Sequence, residues 1–176
     1  MKEIIEQILE SMPESATQTR VHIKGGSGSL VLIRKILYAG MRHLTLEPSV
    51  INDIKLATTE ACTNVVKHAY KFDPEKYFIL DLKTSPEYLI IEVEYKDPEF
   101  DPSTIPVRDL TEIREGGFGV FIIKNIMDHV RYLTDKNTGV VRLQMVKNLS
   151  ADTPEQHTEG DLSHENKLNP ERRSKN

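Results

Sequence analysis

The sequence contains one cysteine, Cys62, and no tryptophan, and aromatic residues make up only 6% of its 176 residues. A single cysteine excludes a disulfide within the chain, and its position inside a helical pattern indicates a packing role. No apolar run is long enough to span a bilayer, and the charged N-terminus has no signal-peptide core. The sequence therefore predicts a cytoplasmic protein.

The chain also lacks a strong excess of either charge, because its net charge is −4 and its pI is near 5.9. This balance gives no electrostatic reason to expect binding to nucleic acid or to an anionic membrane surface. Proteins and nucleotides are the expected partners. A hydrophobic content of 38% over this length allows one sizeable core, which we assign to a single domain at residues 17–148.

The two ends of the chain differ from this domain. Residues 1–16 contain apolar residues at helical spacing and predict a short helix that ends near Pro13. Residues 149–176 have no aromatic residue and few apolar ones, so they cannot bury enough surface to fold. We expect a disordered, charged tail there.

Apolar periodicity predicts the elements in between. It indicates a strand at residues 18–23, amphipathic helices at residues 29–44 and 48–70, and a further helix after residue 119. Residues 77–95 and 131–146 read as two β-hairpins. Residues 96–115 are rich in Pro, Asp and Glu and show no sustained periodicity, which predicts a long mobile loop of the kind that forms a functional lid.

The helix at residues 48–70 carries Glu60 and Asn64 four residues apart, at the edge of its apolar face. Residues at this spacing are neighbours on a helix surface. A carboxylate there could act as a general base, and an amide oxygen is a suitable ligand for Mg²⁺. The alternative is a solvated polar edge of a structural helix.

A glycine cluster precedes the later helix and comprises Gly116, Gly117 and Gly119. Glycines at a helix N-terminus let a phosphate approach unpaired backbone N–H groups, which the helix dipole favours. A tight turn without a ligand is the alternative for this motif.

These motifs occur together, in order and with compatible spacing. They read Glu60-x-x-x-Asn64-x-x-x-His68-Ala69-Tyr70, then Gly116-Gly117-x-Gly119-Val120, then Met127-Asp128-x-Val130. The set resembles the anti-sigma-factor serine kinases, which belong to the ATPase family shared with gyrase and the histidine-kinase catalytic domain. The resemblance implies an α+β fold, a two-layer α/β sandwich with helices on one face of a mixed, mostly antiparallel sheet. It also implies an ATP site between the Glu60 helix and the loop at residues 96–115.

The resemblance also implies residue roles. Glu60 corresponds to the catalytic carboxylate that orients or deprotonates the nucleophile, and Asn64 to the amide that ligates Mg²⁺. ATP binding is implied for Asn64, Tyr95, Asp97, Gly116, Gly117, Gly119 and Thr138. We expect His68 to be a buried, hydrogen-bonded structural residue within the apolar face.

The adenine-binding motif departs from the family pattern Asp-x-Gly-x-Gly-Phe-Asp-Pro. Residues 95–102 read Tyr-Lys-Asp-Pro-Glu-Phe-Asp-Pro. Without a gap, Tyr95 stands at the position of the Asp that accepts the adenine amino group, and Asp97 and Glu99 replace the two glycines. A two-residue deletion would instead align Asp97 with the family Asp.

Two functions are compatible with this resemblance. The first is an anti-sigma-type regulatory serine/threonine protein kinase that binds ATP and Mg²⁺ and phosphorylates a serine of an anti-sigma antagonist, thereby controlling a sigma factor. The second is a nucleotide-independent partner-switching module with a degenerate ATP site, which the altered adenine motif favours. A histidine-kinase catalytic domain fits poorly, because no long dimerisation helix with a phospho-accepting histidine precedes it. A homodimer is compatible with either function.

Overall fold

The computed structural model describes residues 2–105 and 118–150 of the chain. The helices are α1 (Lys2–Ser11), α2 (Ser29–Met41), α3 (Pro48–Asn64) and α4 (Phe118–Ile126). The strands are β1 (Thr17–Lys24), β2 (Tyr77–Thr84), β3 (Tyr88–Lys96), β4 (His129–Asp135) and β5 (Val140–Asn148). A π-helical turn at Val65–Ala69 continues α3, and a 3-10 turn at Pro102–Thr104 follows β3.

The strands form one five-stranded sheet in the order β1-β2-β3-β5-β4. Every pairing in the described part of the chain is antiparallel. The two hairpins predicted from the sequence are β2–β3 and β4–β5. Pairing of β3 with β5 brings Lys96, at the end of β3, opposite Val140, at the start of β5. The end of β3 therefore lies beside the β4–β5 turn.

Helices α2, α3 and α4 form a layer on one face of this sheet, with α3 in contact with both of the others. The strand period of two sends Leu89, Ile91 and Val93 of β3 into the core beneath that layer. The helical period sends Ile54 and Ala61 of α3 towards the same core, where both are almost fully buried. This arrangement confirms the predicted α+β fold and its two layers.

Helix α1 lies against the opposite face of the sheet. Its buried Ile5 and Ile8 pack with Ile90 and Val146, whose side chains point away from the α2–α4 layer. The helix predicted at the N-terminus therefore forms and covers part of the second face. The expected arrangement, with the helices on one face of the sheet, holds for α2, α3 and α4 but not for α1.

The core extends beyond the domain boundary predicted at residue 148 and includes the residue that follows β5. Leu149 is 1% exposed within the main core, and its N–H group donates a hydrogen bond to the Glu87 carbonyl at 2.7 Å. This contact with the β2–β3 turn holds Leu149 in place, so the first residue assigned to the tail belongs to the core. The predicted tail at residues 151–176 lies outside the described residues, as does the second half, residues 106–115, of the loop predicted at residues 96–115.

Candidate active site

The site begins where α3 changes its helical geometry. After Asn64 the backbone widens into the π-helical turn, in which the Tyr70 N–H group donates to the Val65 carbonyl at 2.9 Å, five residues back. Single π-helical turns are frequent at functional sites. The wider turn rotates His68 away from the buried face of α3, and its side chain is exposed. The prediction that His68 is a buried structural residue is therefore wrong.

Glu60 and Asn64 both face the start of α4 at Gly119. A β-carbon on Gly119 would lie 2.8 Å from Glu60 Oε2, 3.3 Å from Asn64 Nδ2 and 3.4 Å from Asn64 Oδ1. The absence of a side chain at Gly119 thus leaves the space in front of the carboxylate and the amide open. Neither polar side chain has a hydrogen-bond partner among residues 2–105 and 118–150, so both are available to a ligand.

A cavity of about 420 Å³ opens next to this contact. It is lined by Asn64, His68, Ala69, Tyr95, Asp97, Phe100, Thr104, Ile105, Gly119, Val120 and Tyr132. It brings together four of the predicted ATP-binding residues. Asn64 and Gly119 come from the α3–α4 contact, and Tyr95 and Asp97 come from the end of β3. A larger open cavity of about 640 Å³ lies beside α1 and is lined by none of the predicted site residues.

Aromatic side chains form the wall of the cavity at the end of β3. Tyr95 is 7% exposed and shares the core-facing side of β3 with Val93, as its strand position predicts. Its ring meets the Phe100 ring edge-on, with 6.1 Å between the ring centroids. The ring centroids of Phe100 and Tyr132 are 5.3 Å apart. Burial raises the pKa of the Tyr95 phenol and raises that of Tyr132 to about 12. Both phenols are therefore protonated at neutral pH.

Asp97 lies directly after β3, in a turn that forms without glycine. Its N–H group donates to the Gly139 carbonyl at 2.8 Å, and its Oδ1 accepts the Glu99 N–H group at 3.2 Å. Neither Asp97 nor Glu99 has a positive φ, so the turn adopted here does not need the glycines of the family motif. Tyr95 and Asp97 line the same cavity.

Gly139 is the glycine that this region does require. Its φ is +70°, and a β-carbon there would lie 3.0 Å from Pro98 Cβ. The left-handed conformation and the contact with Pro98 both favour glycine. This residue lets the β4–β5 turn approach the turn that contains Asp97.

Tyr70 positions the wall of the cavity and was not singled out by sequence reasoning. Its hydroxyl group donates to the Tyr77 carbonyl at 2.6 Å and accepts the Lys96 N–H group at 3.2 Å. One buried phenol thus joins the end of the π-helical turn to β2 and to the end of β3. Its place in the His-Ala-Tyr motif was the available signal. Phe100 and Tyr132 were also missed, because their meeting depends on the pairing of distant strands.

Thr138 lies outside the cavity lining, in the β4–β5 turn. Its hydroxyl group donates to Asp135 Oδ2 at 2.8 Å. This bond, together with the Asn137 N–H group, lowers the pKa of Asp135. Thr138 thus stabilises the turn in this structure. Gly116 and Gly117 lie outside the described residues.

Comparison with known proteins identifies the family of this chain. Residues 27–145 match the model of the histidine kinase-like ATPase domain. The chain belongs to this family. It is 31% identical over 105 residues to the serine-protein kinase RsbW of Listeria monocytogenes serotype 4a, covering 54% of this chain and 66% of that protein. It is 35% identical over 118 residues to RsbW of Halalkalibacterium halodurans, covering 62% and 70% of the two chains.

The match thus spans about two thirds of the length of these relatives. Two solved structures share the fold of this domain. A Mycobacterium tuberculosis protein with RsbU and RsbW domains superposes with a TM-score of 0.54 at 13% identity, over 74% of this chain and 32% of that one. The SiaB–SiaC complex of Pseudomonas aeruginosa superposes with a TM-score of 0.52 at 9% identity, over 84% and 97%. Within residues 2–105 and 118–150, no helix has the length and apolar character needed to cross a membrane.

Proposed function

We propose that this chain is an anti-sigma-type regulatory serine/threonine protein kinase that binds Mg-ATP in the cavity between α3, α4 and the end of β3. The observation that carries this proposal is the convergence of Glu60 and Asn64 on Gly119 beside that cavity. The relatives named as serine-protein kinases support the same reaction class. The acceptor in this proposal is a serine of an anti-sigma antagonist.

The phosphate end of the nucleotide would lie at Gly119, near the start of α4. A β-carbon there would take the space in front of Glu60 and Asn64, so glycine suits the approach of a phosphate group. Anions are favoured at a helix N-terminus by its free N–H groups and its dipole. In this proposal the Asn64 amide oxygen holds Mg²⁺, which supplies neutralising charge to the phosphates when bound. The described residues include no cluster of three His, Cys, Asp or Glu side chains that could hold a metal ion by themselves.

Glu60 would serve as the base in the transfer step. The serine hydroxyl oxygen attacks the γ-phosphorus while its proton passes to the Glu60 carboxylate, and the bond from that phosphorus to the ADP oxygen breaks. The products are phosphoserine and ADP. Glu60 suits this role because it is partly exposed, lies beside the phosphate end, and forms no hydrogen bond within the described part of the chain.

The outer side of α2 offers apolar surface for a protein partner. Val31, Leu32 and Tyr38 are exposed by 61%, 45% and 68%. Exposed apolar groups in one place are typical of protein interaction surfaces. We propose that this side of the molecule binds a cytoplasmic sigma factor or its antagonist. The chain would do so as a monomer or as a homodimer.

A nucleotide-independent binding module is the second candidate. The bulky Tyr95 ring, packed against Phe100, favours it because the ring occupies space at the base end of the cavity. On this alternative, Glu60 and Asn64 would be polar residues at the edge of a structural helix.

Calorimetric titration with ATP, with and without Mg²⁺, separates the two candidates. We expect wild-type protein to bind Mg-ATP. In a separate assay of ADP formation, we expect it to hydrolyse ATP slowly, with water as the acceptor. Glu60→Gln should keep binding and lose ADP release, and Asn64→Ala should lose the Mg²⁺-dependent part of the affinity. Asn52→Ala, an exposed amide on the same helix, is the matched control and should change neither. Absence of binding by the wild type at millimolar ATP would contradict the kinase proposal and favour the second candidate.

A further inference from the structure

Two tyrosine hydroxyl groups at the cavity form no hydrogen bond with residues 2–105 or 118–150. Tyr95 and Tyr132 both line the cavity, and neither hydroxyl forms a hydrogen bond in the described part of the chain. No fully buried polar side-chain atom of the described residues lacks a partner, so both hydroxyl oxygens reach accessible space. Tyr95 is 7% exposed and is one of the residues that line this cavity.

Both phenols are neutral at physiological pH, because burial raises their pKa values. A neutral hydroxyl group can donate one hydrogen bond and can also accept one, and its proton rotates to suit the partner. An ionised carboxylate can only accept. Tyr95 therefore differs in hydrogen-bonding capacity from a carboxylate such as that of Asp97, which lines the same cavity.

This difference affects the choice between purines. Adenine presents an amino donor at C6 and an acceptor at N1, whereas guanine presents an acceptor at O6 and a donor at N1. A carboxylate beside C6 accepts from the adenine amino group but repels guanine O6. A hydroxyl group in the same place accepts from the amino group or donates to O6.

We propose that Tyr95 reads the purine in this site and that the protein binds adenine and guanine nucleotides with similar affinity. This inference rests on the proposed nucleotide-binding function. The rings of Phe100 and Tyr132 support it because they offer apolar contact area that either purine can cover. Discrimination therefore depends on the hydrogen-bonding groups at the edge of the base.

Asp97 is the competing group in the same cavity. Its Oδ1 is engaged with the Glu99 N–H group, while its other carboxylate oxygen has no partner in the described part of the chain. If Asp97 met the C6 substituent, the site would select adenine. The ratio of the two nucleotide affinities therefore distinguishes Tyr95 from Asp97.

The test is calorimetric titration of the full-length protein with Mg-ATP and, separately, with Mg-GTP. We expect the two dissociation constants of the wild type to agree within about threefold. Tyr95→Asp should bind ATP at least about tenfold more tightly than GTP, because guanine O6 then faces a buried acceptor. Tyr95→Phe should weaken both nucleotides by a similar factor, on the order of fivefold, as expected for loss of one hydrogen bond. Tyr77→Phe, at a half-exposed tyrosine of β2 whose side chain does not line the cavity, is the control and should change neither affinity.

The outcomes separate this inference from the function on which it rests. A wild type that prefers ATP by more than about tenfold would overturn the role of Tyr95 and leave the kinase proposal intact. In that case Asp97→Asn should abolish the preference. A wild type that binds neither nucleotide at millimolar concentration would overturn the kinase proposal and this inference together. Because the wild-type ratio decides, the test does not depend on how well the Tyr95→Asp protein folds.

Discussion

Substitution of Gly119 by alanine tests the geometry of the site most directly. The added β-carbon would lie 2.8 Å from Glu60 Oε2 and 3.3 Å from Asn64 Nδ2. The first distance is shorter than a normal contact, so the Glu60 carboxylate must move. It lies at the end of a flexible side chain, and the backbone of α3 can stay in place. The methyl group would then occupy the space assigned here to a phosphate group.

The effects on stability should nearly cancel. Gly119 is the second residue of α4, where alanine is favoured over glycine by up to about 1 kcal/mol. Displacing the Glu60 side chain from its preferred rotamer costs on the order of 0.5–1.5 kcal/mol. The net change in the free energy of unfolding should therefore stay within about 1 kcal/mol, which is roughly 2–4 °C in Tm for a domain of this size. Mg-ATP affinity should fall by about 1–3 kcal/mol, or roughly 5- to 150-fold, because a buried polar contact is lost.

Two measurements on the same variant check this expectation: thermal unfolding without nucleotide, and calorimetric titration with Mg-ATP. Gly28→Ala is the matched control, since a β-carbon on Gly28 would meet nothing within 4 Å, and it should leave nucleotide affinity unchanged. Unchanged Mg-ATP affinity in Gly119→Ala would refute the position assigned to the phosphates. A fall in Tm of ten degrees or more would show that the α3–α4 contact is rigid, contrary to the reasoning about Glu60.

Three further predictions concern the core and the end of the chain. Leu149→Ala should lower the free energy of unfolding by about 2–5 kcal/mol, because the side chain is almost fully buried, whereas deletion of residues 151–176 should leave Tm within about 1 °C. Chemical denaturation and calorimetry measure both, and a stabilising effect of the deleted segment would contradict the composition argument. The Cys62 thiol is buried, and burial raises its pKa to about 12, so Ellman's reagent at pH 8 should modify it only in unfolded protein. Reaction of the native protein within minutes would show that α3 opens locally.

The regular elements could be predicted because each has a clear period. The alternation of Leu89, Ile91 and Val93 identifies one buried face of β3, and the structure places these side chains in the core. The turn at residues 136–139 ends in Gly139, which takes the positive φ that such a turn favours. These patterns are local, so they can be recognised without knowing which residues each element packs against.

The misplacement of His68 shows where a regular period fails. Extrapolating 100° per residue along α3 puts His68 on the apolar face, which holds only if the helix stays α-helical beyond Asn64. The π-helical turn adds a residue to that turn and moves His68 to the surface beside the cavity. Hydrophobic spacing carries no signal for such a change, because Val65 and Val66 remain buried across it.

The adenine motif shows a different limit, because sequence alignment treats Tyr95 and Asp97 as mutually exclusive choices. Tyr95 lies within β3 with its side chain on the core face, and Asp97 follows the last strand residue, where the chain turns towards Gly139. The turn brings Asp97 to the same cavity that Tyr95 lines, so both groups line one cavity. The alignment gap therefore does not determine base recognition. On the function proposed here, it depends on whether the purine edge meets a hydroxyl group, which donates and accepts, or a carboxylate, which only accepts. The two cases predict different affinities for guanine nucleotides.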